Sequence, residues 1–182
     1  MLAPAELVRD FVNTYNFDSD ADELASPAEL AVWLRERGLI GPRDRATDDD
    51  LTTALTLREA LRAALRHETP KTPALRRETP EAPELPILPL LVRLGAKPEL
   101  VPLEDGVQGG LARIAAAVTD HSWHRLKVCA EGMCQWAFID SSKNRSRSWC
   151  SMRVCGNRTK TRAYRARKQG SRHPQGSNTD TV

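Results

Sequence analysis

The sequence predicts a mainly helical α+β fold, in which a helical N-terminal domain with one small β-hairpin precedes a short C-terminal module framed by cysteines. Three observations predict this arrangement. Apolar residues recur at helical spacing through the first third of the chain, all four cysteines lie between residues 129 and 155, and basic residues gather around those cysteines. A chain of 182 residues, 40% of them apolar and 5% aromatic, has room for one sizeable core and one small module.

Four segments of the predicted N-terminal domain, residues 1–120, have helical patterns. The second segment begins at Ser26 with a capping box and has Pro27 at its first helical position, and Gly38 ends it. The third begins with three aspartates, which the positive end of the helix macrodipole favours. The four helices are expected at residues 5–15, 27–37, 48–67 and 107–117.

The other segments outside the cysteine module are expected to be extended or irregular. Residues 90–94 and 99–103 are short apolar runs separated by turn residues, which predicts a hairpin. Six prolines within residues 68–89 predict a linker or an irregular arm. The polar tail, residues 171–182, is expected to be disordered.

The four cysteines of the C-terminal module, residues 121–170, form two C-x4-C pairs. Cys129 pairs with Cys134 and Cys150 with Cys155, and fifteen residues separate the pairs. Four thiolates suit a closed tetrahedral zinc site, which supplies folding energy that a small core cannot. The N-terminal residues lack a signal pattern, so we expect a cytoplasmic protein, in which disulfides rarely persist. The pairs therefore predict one Zn²⁺ rather than two disulfides, and they leave no open position for a catalytic zinc.

The spacing also predicts how the chain arranges these cysteines. Gly132 is expected to let the backbone reverse between the first two. Residues 135–140 are expected to form a strand, and residues 146–149 a strand that returns beside it. Residues five apart on an α-helix face different sides, so Cys150 should precede a helix and Cys155 should lie in its first turns. This order of knuckle, hairpin and helix predicts a treble-clef-like zinc finger.

Four short runs in the module carry a family resemblance. They are Phe-Ile-Asp at 138–140, Asn-Arg-Ser-Arg at 144–147, Trp-Cys-Ser-Met at 149–152 and Cys-Gly-Asn-Arg at 155–158. Together they resemble the CGNR-type zinc finger over about residues 125–168. The resemblance implies that the four cysteines are the zinc ligands and that the module binds DNA in bacterial regulators.

Three runs in the N-terminal domain carry a second resemblance. Asp-Phe-Val-Asn-Thr at 10–14, Leu-Ala-Val-Trp-Leu at 30–34 and Leu-Arg-Glu-Ala-Leu at 57–61 resemble the ABATE domain, the usual N-terminal companion of CGNR fingers. The resemblance implies a stress-induced transcription regulator. Asn13 and Arg58 are polar residues beside apolar stripes, which makes them candidates for lining a ligand pocket. The alternative, which we favour, is that Asn13 bridges backbone groups and Arg58 pairs with an acid.

The net charge of +3 is distributed unevenly along the chain. Residues 1–120 contain 14 Lys and Arg against 21 Asp and Glu, a net charge of −7, whereas residues 121–172 contain 13 against 2, a net charge of +11. An acidic body joined to a basic finger predicts a polyanionic partner for the finger, and DNA is the first candidate.

The last predicted helix, at about residues 151–168, should divide into two faces. Arg158, Arg162 and Arg165 form one basic row. A separate stripe is expected to face the zinc and the hairpin: Met152, Cys155, Thr159, Ala163 and Ala166. The candidate DNA-binding residues are Lys143, Arg145, Arg147, Arg158, Lys160, Arg162, Arg165, Arg167 and Lys168.

These patterns predict a zinc-dependent, DNA-binding transcription regulator whose N-terminal domain senses a signal or forms a dimer. A single helix binds DNA weakly, which favours a homodimer. The alternative function is a zinc-stabilised module that binds protein or RNA. An enzyme is not expected, because the sequence has no nucleophile–base arrangement and no phosphate-binding glycine loop. No apolar run approaches the roughly 20 residues that span a bilayer. The effector and the DNA sequence recognised are not predicted.

Overall fold

The computed structural model describes residues 2–68, 86–93 and 99–170. In these ranges the helices are α1 (Pro4–Val12), α2 (Pro27–Glu36), α3 (Asp48–Glu68), α4 (Gly106–Ala116) and α5 (Asn157–Gly170). The strands are β1 (Tyr15–Asn16), β2 (Ala21–Asp22), β3 (Leu90–Arg93), β4 (Glu99–Pro102), β5 (Leu126–Val128) and β6 (Ala137–Ile139). The predicted mainly helical α+β fold is confirmed. Most of the predicted proline-rich arm and the whole predicted tail lie outside the described residues.

Local chemistry explains where the N-terminal helices begin and end. The Ser26 hydroxyl accepts the Glu29 N–H at 3.3 Å, which is one half of the predicted capping box, and it donates to the Glu29 carboxylate at 2.9 Å. Gly38 follows α2 in the left-handed region, with φ of 67°. At the start of α3, the Asp50 carboxylate accepts the Thr47 N–H at 2.9 Å, and the Thr47 hydroxyl accepts the Asp50 N–H at 3.2 Å. No helix in the described ranges is both long and apolar enough to cross a bilayer.

One apolar core joins the N-terminal helices to the base of the C-terminal module. Each of its side chains removes apolar surface from water, which stabilises the fold by about 1.5–3 kcal/mol for a fully buried large residue. Its buried members include Val8, Phe11, Leu34, Leu57, Leu61, Leu111, Ile114, Leu126, Val128 and Ala137. The last three belong to β5 and β6, so the module is seated in the same core as α1 and α3.

The strands form three antiparallel pairs: β1 with β2, β3 with β4, and β5 with β6. The β3–β4 hairpin is the predicted one, and Leu90 faces Pro102 in its register. The β1–β2 hairpin, which has two residues in each strand, was not predicted.

The predicted return strand at residues 146–149 is wrong. These residues have no regular structure, and β6 pairs instead with β5, which lies before the first cysteine. The physical reason is that the knuckle between Cys129 and Cys134 itself reverses the chain. The segment that enters the knuckle therefore lies beside the segment that leaves it, with Val128 opposite Ala137.

Candidate metal centre and basic helix

The four cysteine sulfurs lie together at one point. All four Sγ atoms are within 4.8 Å of one another, with 3.6 Å between Cys134 and Cys150 and 3.7 Å between Cys150 and Cys155. A tetrahedral zinc with Zn–S distances of about 2.3 Å places its sulfurs about 3.8 Å apart. A disulfide would bring two of them to about 2.05 Å, and all four thiols are free. The cluster therefore has the spacing of a four-thiolate zinc site.

Backbone hydrogen bonds form the knuckle that presents the first pair. The Cys129 N–H donates to the Trp136 carbonyl at 2.9 Å, and the Cys134 N–H donates to the Glu131 carbonyl at 3.0 Å. The prediction that Gly132 allows this reversal is wrong, because its φ is not in the left-handed region and a Cβ there would meet nothing within 4 Å. The residue in the left-handed region is Gln135, with φ of 48°.

A short π-helical turn, Met152–Gly156, presents the second pair. Cys150 lies just before it and Cys155 within it, as predicted. The Ser151 carbonyl accepts the Gly156 N–H at 3.1 Å, an i to i+5 bond that widens the turn. The wider turn lets residues five apart approach one ion. A Cβ at Gly156 would lie 2.5 Å from the Sδ of Met152, so the exposed Met152 side chain would have to shift.

Burial sets the acid–base behaviour of the thiols. It raises the pKa of Cys134 to about 12, and it also raises the pKa of Cys150, with the neighbouring cysteine Cys129 adding to both shifts. A divalent cation offsets this cost by pairing with the thiolates. The backbone N–H of Cys150 also points at the Cys129 sulfur, 3.5 Å away, and Trp149 packs against the cluster. This donor set fits Zn²⁺, which Cys129, Cys134, Cys150 and Cys155 would hold in a closed structural site.

A buried ion pair organises the loop between the two pairs of cysteines. Lys127 donates to the Asp140 carboxylate at 2.7 Å and also to the carbonyls of Arg145 and Arg147. Asp140 is fully buried and accepts the Ser142 N–H and hydroxyl and the Arg147 N–H. Burial alone would raise the pKa of Asp140, but the hydrogen bonds from Lys127, Ser142 and Arg147 outweigh it and lower that pKa far below its ordinary value.

A second buried carboxylate connects the knuckle to α5. Glu131 lies between the first two cysteines and accepts the Thr159 hydroxyl at 2.8 Å and the Arg162 guanidinium at 2.5 Å. Burial would raise the pKa of Glu131, but the hydrogen bonds from Arg162 and Thr159 lower it overall. Glu131 is therefore a carboxylate at neutral pH.

The predicted DNA-binding residues occupy two regions of the surface. Lys143, Arg145 and Arg147 are exposed on the loop after Asp140, and the Arg147 guanidinium donates to the Cys150 carbonyl at 2.9 Å. On α5, all side chains from residue 160 to residue 169 are exposed. These include five of the predicted residues: Lys160, Arg162, Arg165, Arg167 and Lys168.

Two members of the predicted arginine row have acidic partners. Arg158 pairs with Asp18 of the β1–β2 turn at 3.2 Å, and Arg162 pairs with Glu131. Arg165, the third member, is exposed and borders the same shallow groove on α5 as the other two.

The predicted zinc-facing stripe on the last helix is wrong except at Cys155 and Thr159. Cys155 is buried and Thr159 is half-buried, but Met152, Ala163 and Ala166 are exposed. The reason is that α5 extends beyond the small module after its first turn, and its side chains from residue 160 to residue 169 are exposed.

Asn13 and Arg58, the candidates for a ligand pocket, lie in different places. The Asn13 side chain pairs with the backbone C=O and N–H of Ala137 at 2.9 and 2.8 Å, and it borders a cleft of about 600 Å³ between α1 and β6. Arg58 is buried, donates to the Asp22 carboxylate at 2.7 and 2.8 Å, and reaches the Thr14 hydroxyl at 3.1 Å. These are the contacts of the favoured alternative, in which Asn13 bridges backbone and Arg58 pairs with an acid.

The sequence patterns assigned no role to Asp18, Lys127, Glu131 or Asp140. One signal was available for two of them. Glu131 and Asp140 are the sole acids among the 13 basic residues of positions 121–172, and an isolated acid in so basic a module has many cationic partners within reach. Asp18 and Lys127 gave no such signal, because their partners are distant in sequence.

Comparison with protein families agrees with this geometry. Residues 5–123 match the ABATE family model, described as “Putative stress-induced transcription regulator”, and residues 125–168 match the CGNR zinc finger model. Both predicted resemblances are confirmed, and the four clustered cysteines are those of a CGNR finger, suited to Zn²⁺. The longer match describes a regulator and not an enzyme. No curated protein matches the chain.

Proposed function

The chain belongs to the ABATE family of “putative stress-induced transcription regulators”, and on that premise we propose that it binds duplex DNA through its zinc finger. The observation that carries this proposal is α5. It projects from the zinc-fixed base of the finger with its basic side chains exposed from residue 160 onward. A helix of this kind fits the major groove, where Lys and Arg neutralise phosphates.

Zinc supports this function by fixing the base of the finger. The four thiolates join the knuckle to the π-helical turn that leads into α5, so the metal holds the basic helix against the rest of the module. The loop after Asp140 presents a second basic group, which contains Lys143 and Arg145. We assign both groups to phosphate contact, and we place the regulator in the cytoplasm with its DNA.

The N-terminal domain is the module we propose for signal sensing or for homodimerisation. The cleft of about 600 Å³ that Asn13 borders lies between this domain and β6 of the finger. A ligand bound there would touch both parts of the chain. A dimer would supply the second helix that a weakly binding single helix needs.

The proposed function is tested by fluorescence anisotropy with zinc-loaded full-length protein and duplex DNA of mixed sequence. Binding should weaken as salt rises, with log K falling by about 0.9 per phosphate contact for each unit of log salt. Removing zinc with a chelator should abolish binding, and adding zinc back should restore it. Arg165→Ala should make the slope of log K against log salt shallower by about one unit, the value for one phosphate contact. Arg43→Ala, which removes an exposed arginine of the N-terminal domain, should leave this slope unchanged.

The proposal fails if the zinc-loaded protein binds duplex DNA no more tightly than it binds an acidic polymer used as the background control. Binding to structured RNA or to a protein, with the same loss in Arg165→Ala, would then favour the alternative function.

A further inference from the structure

Glu131 is a buried acid that zinc binding does not use. Its side chain is 0% exposed, although it lies on the knuckle between Cys129 and Cys134 and carries a negative charge. Both carboxylate oxygens accept hydrogen bonds from α5, one from the Thr159 hydroxyl at 2.8 Å and the other from Arg162 at 2.5 Å. A buried charge is costly unless it is paired and hydrogen-bonded, so these two contacts must be kept together.

The two partners of Glu131 are placed to fix the direction of α5. Thr159 lies one turn beyond Cys155, and Arg162 lies about two turns beyond it. A zinc ligand at Cys155 holds the helix at its base only, and apolar packing does not hold its outer part, because residues 160–169 are exposed. A second attachment further along the axis prevents the helix from tilting about its base. Glu131 supplies that attachment in the described part of the finger.

We propose that Glu131 is a positioning residue, which ties α5 to the zinc knuckle and so sets the direction in which the basic helix is presented. The inference rests on the proposed function for its consequence in DNA binding. It also adds to the role of Arg162. Its guanidinium donates to the buried carboxylate through Nη2 alone, and its side chain is 62% exposed, so Arg162 positions α5 and still offers donors to phosphate.

Glu131→Gln separates positioning from charge, because the two roles predict opposite signs. Losing a negative charge from a DNA-binding module should tighten binding if charge is all that matters. If Glu131 positions α5, binding should instead weaken by about tenfold, the size expected for losing one charge-assisted hydrogen bond. The salt slope should also become shallower by about 0.9 or more, although no basic residue has been removed.

Three further variants complete the design. Asp105→Asn, which removes one negative charge from a side chain 99% exposed on the N-terminal domain, is the charge-matched control and should not weaken binding. Thr159→Val should weaken binding in the same direction while leaving the knuckle untouched. Arg162→Ala and Glu131→Gln together should weaken binding by less than the sum of their separate effects, because both changes break the same attachment.

Hydrogen exchange of the zinc-loaded proteins tests positioning without DNA. In Glu131→Gln, the amides of residues 159–169 should exchange faster, while those of α1 should not change. If Glu131→Gln does not bind one equivalent of zinc, the same measurement is made on Thr159→Val. Unchanged exchange in α5 would overturn the inference, as would tighter DNA binding in Glu131→Gln. If exchange in α5 is faster in the variant but the unsubstituted protein does not bind DNA, the positioning role is supported and only the proposed function fails.

Discussion

At the scale of single residues, the finger depends on two buried carboxylates that hold different segments. Glu131 faces α5, and Asp140 faces Lys127 and the loop that ends at Arg147. So small a module cannot build an apolar core of its own, and outside β5 and β6 its buried apolar residues are mainly the cysteines themselves. The two carboxylates hold segments that such a core would otherwise hold. The module is therefore stabilised by metal and by paired charge together.

Asp140→Asn should destabilise the zinc-loaded protein by about 3–5 kcal/mol, because it leaves the Lys127 ammonium buried without its counter-charge. The cost should be measured from urea unfolding with zinc in excess. Asp105→Asn, which changes an exposed carboxylate, should cost less than about 1 kcal/mol.

The pH dependence of this effect follows from the lowered pKa of Asp140. A depressed carboxyl pKa contributes stability that is fully present above the unfolded pKa of about 3.9 and is lost as pH falls through the folded pKa. The cost of Asp140→Asn should therefore be equal at about pH 6 and pH 8. A cost that grows between these two values would show that another group makes the contribution.

At the scale of elements, α1 and β6 are joined by a side chain that imitates a neighbouring strand. The Asn13 amide exchanges two hydrogen bonds with the backbone of Ala137, a residue 124 positions away with no exposed surface. Leu126 and Val128 of β5 and Ala137 of β6 also lie in the apolar core to which α1 contributes. The zinc finger and the N-terminal helices are therefore expected to unfold together.

Asn13→Ala should destabilise the whole chain by about 1–3 kcal/mol, because the Ala137 N–H and C=O lose their partners in a buried position. Chemical unfolding followed at the tryptophans measures this loss. Asn13→Asp, which keeps the oxygen and removes the amide donor, should also be destabilising, because the carboxylate would face the Ala137 carbonyl. Asn144→Ala, at an exposed position of the loop after Asp140, provides the control; a cost as large as that of Asn13→Ala would contradict the bridging role.

The sequence predicted the elements that local chemistry specifies. Ser26 and Gly38 marked the ends of α2, and the paired cysteines marked the metal site, because caps and ligand spacing are local signals. It did not predict that β6 pairs with β5, since strands of three residues carry almost no periodicity. Nor did the sequence predict that Glu131 is buried. A carboxylate is rarely buried without partners, and the two partners of Glu131 are 28 and 31 residues away, where only the fold brings them to it.

At the scale of the whole molecule, an ion pair joins the acidic domain to the basic helix. Asp18, in the turn between β1 and β2, lies 3.2 and 3.3 Å from the Arg158 guanidinium. Two contacts fix the position of this turn. Asp22 accepts two hydrogen bonds from Arg58 of α3, and the Asn16 side chain accepts the Asp18 N–H at 2.9 Å. The Asp18 carboxylate is thus held beside Arg158, one of the predicted DNA-binding residues.

If Arg158 binds a DNA phosphate, Asp18 competes with that phosphate. Asp18→Asn should then tighten DNA binding by a few fold and make the salt slope steeper by about 0.9, the value for one additional phosphate contact. Anisotropy titrations of the zinc-loaded chain over a range of salt concentrations measure both quantities. Asp105→Asn removes the same charge from the same domain at a site that pairs with Arg113, so it reports the general effect of net charge.

The decisive comparison uses Arg158→Ala as the background. If Asp18 acts by occupying Arg158, Asp18→Asn should have no effect once that arginine is gone, because the two changes remove one interaction. Tightening that persists in Arg158→Ala, or that Asp105→Asn reproduces, would assign the effect to long-range repulsion instead. An unchanged slope in Asp18→Asn would mean that Arg158 does not reach phosphate. The pair with Asp18 would then be a solvated surface contact, 46–48% exposed on both sides and of little energetic consequence.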